Sequence, residues 1–160
     1  MITVYLLLGS NEGLPEKNLE NARKAISKLC GEIIKESAIY ETAAWGLKEQ
    51  ANFLNQAVAI TTTATPESLL MELKTIEREL GRVETQKWGP RVIDIDILFY
   101  GNQIIDSVDL KIPHPFIQER RFTLIPLNDL DPDLIHPVLG KSIKTLLQEC
   151  KDTSDVKRNI

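Results

Sequence analysis

Asp94 and Asp96 alternate with isoleucines in the run Val92-Ile93-Asp94-Ile95-Asp96-Ile97-Leu98-Phe99-Tyr100. A polar stretch broken by Gly81, Gly89 and Pro90 runs directly into it and carries Arg82, Lys87 and Arg91. The apolar, β-branched half reads as a strand and the polar half as a loop. Alternate residues of a strand share a face, so Ile93, Ile95, Ile97 and Phe99 are expected on one side. Asp94 and Asp96 are expected on the other, with Val92, Leu98 and Tyr100. At a strand rise of about 3.3 Å per residue the two acids stand ~6–7 Å apart. That width suits gripping two divalent ions ~3.5–4 Å apart. Carboxylate oxygens suit magnesium, which shares its remaining positions between water and substrate phosphates. Arginine and lysine just upstream are the cations that clamp phosphoryl oxygens. Together these residues point to magnesium-dependent phosphoryl transfer. An Asp-x-Asp strand with one wet face is the commoner reading of the acids alone. Leu98 and Tyr100 on that face weigh against it.

The elements that must position these groups are legible from periodicity. Residues 2–8 are a short apolar run ended by Gly9-Ser10-Asn11 and read as a buried strand. Leu19, Ala22, Ile26 and Leu29 recur at helical spacing, with Pro15 near the start and Gly31 past the end, which predicts a helix over 15–30. Residues 33–40 and 53–63 read as strands, with a loop over 42–50 between them. Thr65-Pro66-Glu67 opens a second helix, with Leu69, Leu73, Ile76 and Leu80 as its buried stripe and Gly81 as its stop. Glu77, one turn before the end of that helix, reads on its own as part of a solvated face. Residues 104–112 read as a short hairpin, Pro113-His114-Pro115 as rigid and extended, and Glu119-Arg120-Arg121 as the lead into 122–127. Ser142 caps a last helix bearing Ile143, Leu146, Leu147 and Cys150, and 151–160 is charged and expected to fray. The order strand, helix, strand, strand, helix, strand is that of a split βαβ, ferredoxin-like α/β sandwich of the α+β class with a mainly antiparallel sheet. Helices should then pack on one face, leaving the other for the C-terminal elements or a ligand.

Composition narrows the function class. A chain of 160 residues with 42% hydrophobic residues reads as one domain over 1–160 with a real core. A net charge of −4 argues against a general nucleic-acid surface, so any phosphate site is a local basic patch on an acidic protein. Cys30 and Cys150 match no metal or redox spacing and read as reduced thiols of a cytoplasmic protein. The N-terminal run lacks a basic leader, and no apolar run approaches the ~20 residues of a membrane span. Gly140-Lys141-Ser142 ends like a Walker A loop, but Ile135 stands where its first glycine belongs. Asp129-x-Asp131-x-Asp133 fails as a calcium loop, because Leu134 replaces the glycine and Gly140 the closing glutamate. There is no Gly-x-Ser-x-Gly elbow for serine-based hydrolysis.

Taken together, Gly81-Arg82 followed by Trp88-Gly-Pro-Arg91-x-Ile-Asp94-Ile-Asp96-Ile-Leu resembles the 6-hydroxymethyl-7,8-dihydropterin pyrophosphokinases of folate synthesis. Supporting matches are Gly9-Ser10-Asn11, Tyr40-x-Thr42, Gly46, Gln50-x-x-Phe53-Leu-Asn55, Pro113-His114-Pro115 and Arg120-x-Phe122, so the resemblance runs from the first strand to about Asp133. It implies transfer of pyrophosphate from ATP to the hydroxymethyl oxygen of the pterin, with release of AMP. By the same resemblance Asp94 and Asp96 hold two magnesium ions, and Arg82 and Arg91 neutralise the moving phosphates. Trp88, Arg91, Ile97, Lys111, Pro113, His114 and Arg120 surround ATP, with Glu77 near the nucleotide. Phe53 and Phe122 sandwich the flat pterin, and Asn55 meets its amide-like edge with a donor and an acceptor. Backbone groups of Thr42, Ala43 and Ala44 complete that edge, and Trp45 closes the pocket. A monomer without nucleic-acid or membrane partners is expected, with transient contact to dihydropteroate synthase.

The chain departs from the family pattern in places. Glu84 stands where some members carry a second basic residue, the loop from Arg82 to Trp88 is one residue shorter than in some, and Ala43 and Ala44 occupy places where proline is common. Two other readings use the same residues. One is a two-metal phosphohydrolase or nuclease; the other is an ATP-binding module without turnover.

Overall fold

A computed structural model of the chain describes residues 1–43, 51–81 and 92–159. Among these described residues, eight strands and four α-helices follow in the order β1 (Ile2–Ser10), α1 (Pro15–Leu29), β2 (Glu32–Glu36), β3 (Tyr40–Thr42), β4 (Phe53–Thr62), α2 (Pro66–Glu79), β5 (Asp94–Tyr100), β6 (Ile105–Asp106), β7 (Lys111–Ile112), α3 (Arg121–Leu130), α4 (Ile143–Glu149) and β8 (Val156–Arg158). β1 and β4 are buried along nearly their whole length because they lie in the middle of the sheet with both faces covered. They pair antiparallel from Ile2↔Thr62 to Ser10↔Leu54. β5 joins the other side of β1, β2 and β3 share the far side of β4, and β8 lies beyond β3, every pairing antiparallel.

Helices cover both faces. Leu19, Ala22 and Ile26 of α1 and Leu69, Leu73 and Ile76 of α2 pack on Val4, Leu6, Leu8, Val58, Ile60, Ile95 and Ile97. Leu124, Leu127 and Leu130 of α3 and Ile143 and Leu146 of α4 pack on Tyr5, Leu7, Ala57, Ala59, Leu98 and Phe99. Caps read from sequence recur in three dimensions: Thr65 Oγ1 accepts from the Ser68 amide at 3.2 Å and Ser142 Oγ from the Thr145 amide at 3.1 Å. Gly81 ends α2 at φ +101°, a conformation glycine adopts without a Cβ penalty. The expected hairpin over 104–112 is the β6–β7 pair.

Three local expectations change. The strand predicted over 33–40 is split, because Ser37 Oγ accepts the Ala57 amide at 2.9 Å in place of a backbone carbonyl and parts β2 from β3. In β5 the pairing steps from Leu6↔Ile97 to Tyr5↔Phe99, leaving Leu98 as an extra residue. This bulge resets the alternation, so Phe99 joins Leu98 under α3 and α4, while Tyr100 joins Ile93, Ile95 and Ile97 beneath α1 and α2. The two acids precede the bulge and keep their shared face. Finally, the tail expected to fray carries β8, paired Tyr40↔Arg158 and Thr42↔Val156. It is tied down by Asp152, whose carboxylate accepts from the Arg121 amide at 2.9 Å. No helix among the described residues is long and apolar enough to cross a membrane.

Candidate active site

The sheet register assembles the site. Gly9 of β1 stands opposite Asn55 of β4 on one side and Asp94 of β5 on the other. Asn55 in turn faces Tyr40, and Phe53 faces Thr42. Two residues along β1, Leu7 stands opposite both Ala57 and Asp96. Directly opposed residues share a face, so Thr42, Phe53, Asn55, Gly9, Asp94 and Asp96 all lie on the α3/α4 side of the sheet. At a strand separation of about 4.8 Å, the Cα atoms of Asn55 and Asp94 are ~10 Å apart across β1. Asn55 is buried, and its Nδ2 donates to Thr42 Oγ1 at 3.2 Å, which fixes the plane of the carboxamide. Phe53 and Phe122 are half-buried, as befits rings that retain an open side.

The acids are half-buried, and two neighbouring segments set their surroundings. Glu77, on α2, is 4% exposed, and its Oε2 accepts from the Ile95 amide at 2.7 Å. The solvated-face expectation for Glu77 is therefore wrong: its carboxylate fastens the backbone between Asp94 and Asp96. On the other side, the His114 amide donates to Leu98 O at 3.0 Å, so the bulge residue anchors the Pro113-His114-Pro115 segment. His114 Nδ1 accepts from the Phe116 amide at 3.2 Å, leaving Nε2 as the protonated nitrogen, 4.0 Å from Asp96 Oδ2. Burial and the nearby Arg120 charge push the His114 pKa down to about 4 against the opposing pull of Asp94, so the ring is neutral. The buried guanidinium of Arg120 lies 4.7 Å from the Phe116 ring centroid and 5.5 Å from that of Phe122. Burial lowers its pKa, while the charges of Asp96 and Asp94 raise it. One cation, one neutral imidazole and two carboxylates thus share a single electrostatic environment.

Other candidates are placed less directly. The Ile97 side chain is only 5% exposed in the α1/α2 core, which leaves main-chain atoms for any ligand. Lys111 is exposed and pairs with Asp106 across the β6–β7 hairpin. Pro113 follows a cis peptide bond, and Ala43 is exposed at the end of β3. Ala44, Trp45, Arg82, Trp88 and Arg91 lie outside the described residues. Sequence reasoning missed Phe116, which both orients His114 and flanks Arg120. Its place two residues after His114, where an amide can reach back to the ring, was the available signal.

Comparison with known proteins identifies the family. Residues 5–132 match the family model described as 7,8-dihydro-6-hydroxymethylpterin-pyrophosphokinase (HPPK). The chain is 46% identical over 151 residues to the 2-amino-4-hydroxy-6-hydroxymethyldihydropteridine pyrophosphokinase of Aquifex aeolicus, covering 93% of this chain and 92% of that one. It is 39% identical over 160 residues to the protein of the same name from Haemophilus influenzae, covering 99% of each. Folic acid synthesis protein fol1 of Pneumocystis carinii is 44% identical over 154 residues, which are 96% of this chain but 21% of that one. In fold this chain is similar to the crystal structure of Plasmodium falciparum HPPK-DHPS wild type with pteroate, at a TM-score of 0.77 and 19% identity, over 92% of this chain and 42% of that chain. The chain therefore belongs to the 7,8-dihydro-6-hydroxymethylpterin-pyrophosphokinase family and is an enzyme, a pyrophosphokinase of folate biosynthesis.

Proposed function

We propose that this enzyme transfers the pyrophosphoryl group of ATP to the hydroxymethyl oxygen of 6-hydroxymethyl-7,8-dihydropterin, with magnesium, giving AMP and the pterin diphosphate. The observation that carries this is the shared sheet row in which Asn55 and Asp94 flank Gly9 on one face. A pterin edge held at Asn55 would put its hydroxymethyl arm toward Asp94 and Asp96, within the reach of one small molecule.

The donor set fits magnesium. Two half-buried carboxylates alternate on one strand, and among the described residues no cluster of three or more such side chains surrounds them. That suits an ion held by few carboxylates and completed by water and substrate phosphates. When bound there, magnesium supplies electrostatic stabilisation of the triphosphate and of charge developing during transfer. The residues do the rest. Phe53 and Phe122 stack the pterin, and Asn55 with the backbone of Thr42, Ala43 and Ala44 reads its edge, with Trp45 as cover. Arg120 and neutral His114 donate to phosphate oxygens, with Glu77, Trp88, Ile97, Lys111 and Pro113 around the nucleotide. Arg82 and Arg91 neutralise the group in flight. The pterin oxygen forms a bond to the β-phosphorus as the bond from that phosphorus to the α,β-bridging oxygen breaks. AMP leaves with that oxygen, and the hydroxyl proton passes to Asp96 or to water.

Three wider readings follow. The strand order β5-β1-β4-β2, with α1 and α2 on one face, supports a split βαβ, ferredoxin-like frame extended by the C-terminal elements. Solved relatives described as HPPK-DHPS support transient contact with dihydropteroate synthase. The chain acts as a cytoplasmic monomer, a single domain over 1–160. The decisive experiment incubates protein, magnesium and ATP with and without the pterin. AMP formed in step with pterin consumption is expected; ADP, or AMP without pterin, overturns the reading in favour of a hydrolase.

A further inference from the structure

Gly9 has no backbone reason to be glycine. It lies near the end of a strand paired on both sides, and its φ is outside the left-handed region that glycine alone tolerates well. Glycine within a strand is otherwise unfavourable, and its presence marks a place where another group must come close. At Gly9 that group is identifiable. A Cβ built there would lie 3.0 Å from Asn55 Oδ1 and 3.7 Å from Phe53 Cδ1. Asn55 has little room to yield, being buried and held through Nδ2 by Thr42. The residues after Gly9 brace the same corner: Asn11 Nδ2 donates to Ala51 O at 3.0 Å, just before β4, and Asn18 Nδ2 donates to Ser10 Oγ at 3.0 Å.

We infer that Gly9 is a positioning residue for the pterin: its missing side chain is the seat on which the Asn55 carboxamide rests, between the pterin edge and the two acids. This rests on the reading of Asn55 as a pterin ligand. A methyl group at Gly9 displaces Oδ1 by tenths of an ångström against the Thr42 tether. It thereby tilts the donor and acceptor that the pterin meets, while the nucleotide side, on β5 and beyond, is left alone.

The test is a cycle of Gly9→Ala, Asn55→Ala and the double variant, read by thermal unfolding, ATP affinity and pterin KM against kcat. Gly9→Ala is expected to raise pterin KM about tenfold, the equivalent of one weakened hydrogen bond, with ATP affinity unchanged. Adding Gly9→Ala to Asn55→Ala should cost nothing more in unfolding or in KM, because the atom the new methyl meets is gone. If Gly9→Ala alone unfolds, the double variant should refold, and this rescue carries the test. Wild-type pterin KM in Gly9→Ala, equal losses of ATP and pterin binding, or a double variant destabilised beyond Asn55→Ala each overturns the inference. Rescue of folding with pterin use unaltered in both single variants places the failure in the reading of Asn55, and the inference falls with it.

Discussion

Asp94 and Asp96 owe their position to neighbouring groups on other elements. Glu77 holds the Ile95 amide between them, and the His114 ring is set against Asp96 by its own amide and by that of Phe116. Asp94→Ala or Asp96→Ala is expected to lower turnover on the order of 10³-fold or more while the thermal midpoint stays near wild type, since half-buried carboxylates close to each other add little to stability. Near-normal AMP formation by either variant would refute their metal role. Glu77 behaves differently. Glu77→Ala strips a buried amide of its acceptor and should cost about 1–3 kcal/mol in a denaturant titration. Glu77→Gln keeps an acceptor and should recover most of that loss. If both variants unfold like wild type, the carboxylate is not what fastens β5.

The β5 strand is the element on which the site turns. Its bulge at Leu98 lets Phe99 enter the α3/α4 core and Tyr100 the α1/α2 core, and it turns the Leu98 carbonyl toward the His114 amide. Deleting Leu98 leaves Phe99 and Tyr100 opposite Tyr5 and Val4 on their present faces, but it removes a buried side chain from the α3/α4 core and should detach the Pro113-His114-Pro115 segment from the carbonyl that holds it. Loss of the cooperative unfolding transition is the expected result; a folded, active deletion variant would show that the bulge is incidental. Sequence periodicity gave α1 and α2 to within about a residue, and residue type gave the Thr65 and Ser142 caps, because an amphipathic stripe and a terminal amide are local properties. It did not reveal α3, whose interior holds Pro126, nor β8, whose order depends on β3.

At the scale of the whole molecule, the sheet brings the residues proposed to hold the pterin and the metal onto one face. Because Asp94 and Asp96 are only half-buried, the fold is expected to form without an ion between them. Excess EDTA should stop AMP formation and leave the thermal midpoint of the nucleotide-free protein unmoved. Magnesium with ATP should raise that midpoint in proportion to the logarithm of nucleotide concentration. A midpoint that falls on chelation alone would mean the metal is structural.

Residue order by itself determined most of the element types up to β5, the paired acids, the aromatic and amide groups suited to a flat heterocycle, and through their spacing the family. These follow from local periodicity and from chemistry that each side chain carries wherever it lies. Only the tertiary structure decided that Asn55, Gly9 and Asp94 form one row, that Glu77 is buried against Ile95, and that Phe99 and Tyr100 face opposite cores. The reason is that register and bulges are settled between strands far apart in the chain, by which pairing buries both faces of β1 at once, and no window of neighbouring residues contains that competition.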